Sequence, residues 1–327
     1  MKMGLWDIFV NNVWVWKRWN YPATPSLPAK PWHPDDDKAF TTIPKTRHPL
    51  SSLMIGHLAA TDSTSKGISI FTGSTKPKVN GVVDGYPLNL AKLTDRKYLV
   101  STGYGVNKCW IGTGWAAPYG KMFKYDPRMM IQGNPMQDYS DHKLHVYDLS
   151  SMTITEAGEF YDRGNACTQA AKVTQHSLLE GSYEAEGCSV ARQSLAELTL
   201  RYDDLVLAGW VQRASMGVVA ASSEFIWPAK GSDGKSSAPD APPMGAVLRL
   251  KESARTRLTD SGFGRKTNPQ ANAVMDCYQG PGIMIVDSGG HNSTMLEPDS
   301  RWDQKDLSAL ANLSIQDFEV WVLEENG

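Results

Sequence analysis

The sequence is poor in the features that commit a chain to a particular chemistry. It holds only 4 cysteines in 327 residues, at Cys109, Cys167, Cys188 and Cys277. No two of them form a C-x-x-C pair, which excludes a zinc ribbon and a thioredoxin-like redox motif. Charge is nearly balanced, with 33 Lys and Arg against 35 Asp and Glu and a net charge of -2. There is no basic excess to draw nucleic acid or an anionic membrane, and no apolar run approaches the roughly 18–20 residues of a membrane span. H-E-x-x-H and G-x-S-x-G do not occur, so the sequence nominates no metal, no cofactor and no catalytic residue.

Gly234-Lys235-Ser236 echoes a phosphate-binding loop, but Ala229 stands where the motif needs glycine, and prolines rather than a helix follow. The stretch from Lys230 to Pro243, rich in Gly, Ser, Asp and Pro, reads as a solvated loop. The opening MKMGLWDIFVNNVWVWKRWN is broken by Asp7, Asn11 and Asn12, so no secretory signal is expected. Synthesis and assembly are accordingly expected in the cytoplasm.

What is present is apolar and aromatic. With 41% hydrophobic residues the chain can bury a sizeable core. Residues 1–45 hold Trp6, Trp14, Trp16, Trp19 and Trp32, and from Tyr21 to Pro34 they become proline-rich. Proline fixes φ and removes donors, so this run is read as an extended arm, and its tryptophans suit an interface. Two readings stand: the arm packs on its own domain, or it docks on a neighbouring subunit. Residues 46–327 are read as one large β-rich domain.

Short β-branched or aromatic runs bounded by turn residues (GISIFTG, KYLVST, CWIGTGW, KLHVYDL) fill the region from Thr46 to about Asp162. They point to a mainly β fold, an antiparallel, jelly-roll-like β-sandwich, with two or three short helices in the C-terminal half. A hairpin is expected with one strand ending at Asp148, a turn at Ser150 and Ser151, and a return from Thr153 to Phe160. The segment from Ala166 to Gly181 is read as at most a short helix, and Ser194–Asp204 and Gly209–Ala221 as a return to the sheet. Asn268 and Pro269 open a helix that Gly280 ends. GIMIVDSGG is a buried strand running into a glycine turn. A further helix is expected from Ser300 or Arg301, and IQDFEVWVLE closes as a strand interior to a sheet.

Each constellation that could carry chemistry has a plainer reading. Asp299, Asp303 and Asp306 could hold calcium, or could simply be helix-start acids; Asp35, Asp36 and Asp37 read as a solvated turn. His142 and His145 stand three apart near Asp141 and Asp148, a spacing that sends side chains on a strand to opposite faces. Asp148, Glu156 and Glu159 lie on the hairpin and read as solvent-facing strand acids, although a tight turn could set Asp148 and Glu156 opposite one another as a glycosidase-like pair. Tyr104, Trp110, Trp115 and Tyr119 could stack on sugar rings or fill a core. Cys167 and Cys188 could close a loop, although a large β-domain does not need that staple.

The last hundred residues carry six strings in order: WPA from Trp227, PPMG from Pro242, RLK from Arg249, GIMIVDSGG from Gly282, PDSRWD from Pro298 and DFEV from Asp317. This set resembles an uncharacterised family of bacterial secreted and phage-encoded β-rich proteins, over about residues 30–325. Asp141 and Asp148 match the family hairpin, while its usual histidine falls on Lys143. The histidine many relatives carry after WPA is replaced by Lys230 and Gly231, and the Asn-Trp pair after the glycine turn by His291 and Asn292. The resemblance implies a structural virion component, a phage minor tail or tail-tip protein whose partners are other tail subunits and a host-surface glycan. The alternative is a carbohydrate-active enzyme or lectin-like module acting on cell-wall polysaccharide.

Overall fold

A computed structural model describes residues 41–62, 68–71, 85–95, 97–102, 121–133, 141–162, 168–177 and 186–324. Among these the fold is mainly β, with strands in three sheets. A seven-stranded sheet is built from β1 (Thr46–Arg47), β2 (Ser69–Phe71), β11 (Ala214–Val218), β12 (Val247–Leu250), β13 (Ile283–Ser288), β14 (Ser293–Met295) and β15 (Phe318–Val322). These strands stand in the order β1-β15-β12-β13-β11-β14-β2. The run Ile283, Met284, Ile285 and Val286 is wholly buried, as a strand covered on both faces requires. β15 lies inside the sheet, between β1 and β12, and buries Phe318 and Val320.

The second sheet contains β3 (Leu88–Leu90), β6 (Leu144–Asp148), β7 (Thr153–Gly158) and β10 (Lys172–Ser177), in the order β10-β7-β6-β3. β6 and β7 form the expected hairpin, with His145 opposite Glu156 and Asp148 opposite Thr153. The third sheet contains β4 (Lys97–Thr102), β5 (Lys121–Lys124), β8 (Tyr161–Asp162) and β9 (Thr168–Ala170), in the order β5-β4-β9-β8. Period-two alternation gives the second sheet two working faces. Leu144, Val146 and Ala157 share a cluster with Phe123 and Ala170 of the third sheet. Tyr147, Ile154, Leu88 and Leu90 pack instead with Ala196.

Helices flank the large sheet: α1 (Ser51–Thr61), α2 (Glu252–Asp260), α3 (Pro269–Gln279) and the single turn α4 (Gln304–Leu307). Ala271, Val274, Met275 and Tyr278 of α3 are buried in the main core at helical spacing. α3 begins at Pro269 and stops at Gly280 as expected, but the side chain of Asn268 does not cap it. Asp306 does, accepting from Gln270 N at 2.9 Å and Ala271 N at 3.0 Å.

Several expectations are corrected. Pairing is not purely antiparallel: β11 with β13, β14 with β2, β3 with β6 and β4 with β9 run parallel. α1 interrupts a region read as all β; it has no side-chain cap and no acid in its first turn, so the usual start signals are missing. The segment read as a helix after Ala166 holds β9 and β10. There a full register with β7, Lys172 to Ser177 against Gly158 to Thr153, overrides local propensity. Ser194–Asp204 makes turns rather than a strand and runs into a π-helical turn at Asp203–Leu207. The PDSRWD helix starts only at Gln304, because Asp303 caps it by accepting from Lys305 N and Asp306 N.

Candidate functional site

Two polar assemblies are candidates for chemistry, and both lie where the second sheet meets another element. The first surrounds Lys143, which stands where the resemblance expects a histidine. Its ammonium is 3.8 Å from the exposed carboxylate of Asp141. A Cβ placed on Gly158 would lie 3.1 Å from Cys188 Sγ and 3.6 Å from Lys143 Nζ, so the thiol and the ammonium converge over that glycine. Asp287, near the end of β13, and Tyr86, just before β3, complete the set electrostatically.

Burial opposes the charge on Lys143, but Cys188, Asp287, Asp141 and Tyr86 outweigh it and hold the ammonium above its ordinary range. Burial raises the Asp287 carboxyl to about 6, against the pull of Lys143 and with help from Asp141 and Asp233. Burial also pushes the Cys188 thiol up to about 11, which keeps it protonated and a poor nucleophile at neutral pH. Ser288 Oγ donates to Asp233 Oδ2 at 2.6 Å at the rim. Behind Lys143, His145 is buried edge-on to Tyr86 with ring centroids 5.7 Å apart. Burial lowers its pKa to about 4, although Glu156 works the other way.

Glu156 is used by the fold. Its carboxylate accepts from Cys188 N at 2.7 Å, Ala196 N at 3.0 Å and the Ser194 hydroxyl, pinning the 188–196 loop onto β7. Asp148 does not face it: Thr153 is the cross-strand partner of Asp148, and His145 that of Glu156. The carboxylate pair is therefore not formed, and the reading of these acids as solvent-facing is corrected as well, since Asp148 and Glu156 are buried. The short connection from Leu149 to Met152 closes the hairpin tightly enough to put Thr153, in place of Glu156, across from Asp148.

The second assembly is a cleft at the edge shared by the second and third sheets. Its volume is about 30 Å³, room for a water or two, and it is lined by Lys97, Met122, Lys124, Asp148, Thr155 and Gln175, among others. Lys124 Nζ donates to Asp148 Oδ1 at 3.0 Å, and Gln175 Nε2 to Thr155 Oγ1 at 3.0 Å. Burial would raise the Asp148 carboxyl, but hydrogen bonds from Ser150, Lys124 and Ser151 hold it below its ordinary range. It is ionised at neutral pH.

Asp299, Asp303 and Asp306 are spent on structure. Asp299 pairs with Arg301 Nε at 2.9 Å, Asp303 caps α4 and Asp306 caps α3. Their carboxylates do not gather, and no group of three metal-binding side chains occurs among the described residues. His142 packs tilted against Tyr161, with ring centroids 4.6 Å apart, whereas His145 meets Tyr86. Gly234 sits against Ser222 O, where a Cβ would come within 2.1 Å, and Ser236 bridges to Ser222, so the GKS string is packed along the chain at residues 221–222. Asn292 is buried and donates its backbone N–H to Asp62 Oδ2 at 2.9 Å, fastening the end of α1. Cys188 is a free thiol. Trp6, Trp14, Trp16, Trp19, Trp32, Tyr104, Trp110, Trp115, Tyr119, Cys167 and Asp35 to Asp37 lie outside the described residues.

Sequence reasoning missed Tyr86, Asp287 and the role of Lys143. The one usable signal was Asp287 itself, an acid ending an otherwise apolar buried strand. A scan of family models and searches of curated proteins and of solved structures find no match to this chain.

Proposed function

We propose that the chain is a structural component of a virion, a phage minor tail or tail-tip protein assembled in the host cytoplasm. In this reading it joins neighbouring tail subunits through its Trp- and Pro-rich N-terminal arm and meets a host-surface glycan through the β-rich domain. The observation that carries the reading is how the shared strings are used. In PDSRWD, Asp299 forks onto Arg301, Trp302 is buried and Asp303 caps a helix. In RLK, Arg249 donates to Gln279 O at 2.7 Å and closes the end of α3. In DFEV, Asp317 completes a capping box with Ser314. Polar side chains committed in this way support a scaffold rather than a reaction centre. The common core of the second and third sheets supports reading that region as a small sandwich.

The test uses the full chain with Trp14, Trp16 and Trp19 changed to Ala. Particles made with this variant are expected to lack it while its fold, followed by thermal melting, is unchanged; normal incorporation sinks the arm's role.

A second reading, a carbohydrate-active enzyme on cell-wall polysaccharide, is favoured by one observation. Asp287, raised to about 6 beside Lys143 and Asp141, has the poise of a general acid. Release of reducing sugar from cell-wall polysaccharide, abolished by Asp287→Asn, would establish that reading in place of the first.

A further inference from the structure

Between Asp204 and Gln212 the chain reads LVLAGWV, 7 residues with no charge and no polar side-chain group except the indole of Trp210. The first two go inward: Leu205 belongs to the main core and Val206 packs against it. The next five come out. Leu207 is 67% exposed and Val211 37% exposed, Ala208 and Gly209 are exposed, and Trp210 is half-buried. Single exposed apolar residues are ordinary, but a contiguous set of them marks a contact surface. The loop is also held in one shape. At its first foot Ala208 N donates to Asp203 O at 3.0 Å and Trp210 N to Asp204 O at 2.7 Å, and both aspartates are buried. At its second foot Gln212 Nε2 donates to Glu197 O at 3.1 Å and Thr199 O at 3.0 Å, and the buried Arg213 donates from Nε to Pro281 O at 3.1 Å. Gly209, between the two feet, has φ +67, and a Cβ there would meet nothing within 4 Å. The turn therefore stands clear of the surface as a preformed apolar tip.

We propose that Leu207–Val211 is a membrane-contact tip, with Leu207 and Val211 entering the acyl boundary of a lipid bilayer and the Trp210 indole at headgroup level. Size and chemistry select this partner. A stable protein interface takes roughly 20–30 residues a side and a polar rim that exchanges hydrogen bonds, whereas the tip offers five residues and one side-chain donor. A bilayer surface needs neither. It yields around a small convex tip, binds it in proportion to the apolar area buried, and accepts an indole at its polar boundary. No charge lies between Asp204 and Arg213, so anionic headgroups add nothing to the hold of the tip. The inference goes beyond the virion reading and stands or falls independently of it.

The experiment is flotation of the full chain with vesicles of phosphatidylcholine and with vesicles of phosphatidylglycerol. The chain is expected to float with both, and equally at low and high salt. Leu207→Asp and Trp210→Ala should each weaken vesicle binding about tenfold, the worth of one buried apolar side chain. Met122→Asp, at an apolar residue 56% exposed on β5, should leave binding unchanged, which separates the tip from general stickiness. Leu207 is exposed, so its replacement keeps the fold, and thermal melting of both tip variants checks this. No flotation, flotation only with phosphatidylglycerol that salt abolishes, or flotation indifferent to both tip variants overturns the proposal. Oligomers in solution that Leu207→Asp breaks up overturn it as well, since a second copy would then cover the tip. Vesicle binding by a chain that never enters particles defeats the virion reading alone, and a chain that enters particles without binding vesicles defeats the tip alone.

Discussion

Arg201 donates from Nη1 to Asp204 Oδ2 at 3.1 Å with both side chains fully buried. Glu297 lies 3.6 Å from Arg201 Nε, equally buried, and accepts Tyr202 N at 2.7 Å. The arginine therefore ties together two acids that belong to distant parts of the chain. Burial lifts the Glu297 carboxyl to about 8 even though Arg201 pulls it down.

Removing one member of a buried ion network leaves the others unpaired, which costs about 3–5 kcal/mol. Arg201→Met is expected to lower the urea midpoint by that measure of stability, and adding Asp204→Asn and Glu297→Gln should restore part of it. A loss below about 1 kcal/mol, the scale of an exposed pair, would mean that the network does not hold the fold.

Asp287 and His145 give proton linkages of opposite sign. Asp287, raised to about 6, takes its proton in the folded chain first, so its contribution to stability falls as pH rises from about 4 through 6. His145, lowered to about 4, takes its proton first in the unfolded chain, so stability is lost as pH falls from about 6.5 to 4. The two slopes partly cancel. Asp287→Asn removes one of them, and melting temperature against pH should show a variant more stable than the native chain at about pH 7, by on the order of 2 kcal/mol, with a steeper acid fall. An unchanged profile would contradict the burial of Asp287.

Asp306→Ala strips the first turn of α3 of the acceptor for Gln270 N and Ala271 N. Loss of such a cap costs about 0.5–2 kcal/mol. Hydrogen exchange should show the N-terminal amides of α3 losing protection first, while those of β6 and β7 are unaffected.

Gly245, in the PPMG string, has φ +88, and a Cβ at this position would stand only 2.1 Å from Ile226 O. Both the left-handed backbone and the contact demand glycine. Gly245→Ala should cost about 3 kcal/mol or more, among the largest effects of a single substitution, whereas Gly264→Ala, with open space around it, should be nearly neutral. Urea unfolding of the two variants side by side checks the contrast.

Legibility in the sequence followed how local each signal was. The β6–β7 hairpin, α3 and β13 could be read because turn residues, Asn268-Pro269 and an unbroken apolar run mark them within a few positions. α1 could not: Leu50 precedes it, its first turn carries no acid, and its order comes from Met54, Ile55 and Leu58 entering the core. β10 was hidden because TQAAKVTQHS suits a helix locally, and only pairing with β7 decides against it. The Lys143 assembly draws on residues from Tyr86 to Asp287, and no window of sequence brings them together. The cleft was legible only through Asp148, whose partner Lys124 lies 24 positions earlier.

The most direct test of the virion reading is quantitative mass spectrometry of purified particles. It should find this chain at a fixed ratio to the other tail proteins, and retained after a salt wash. A chain found free in the lysate and absent from the particles would contradict the reading.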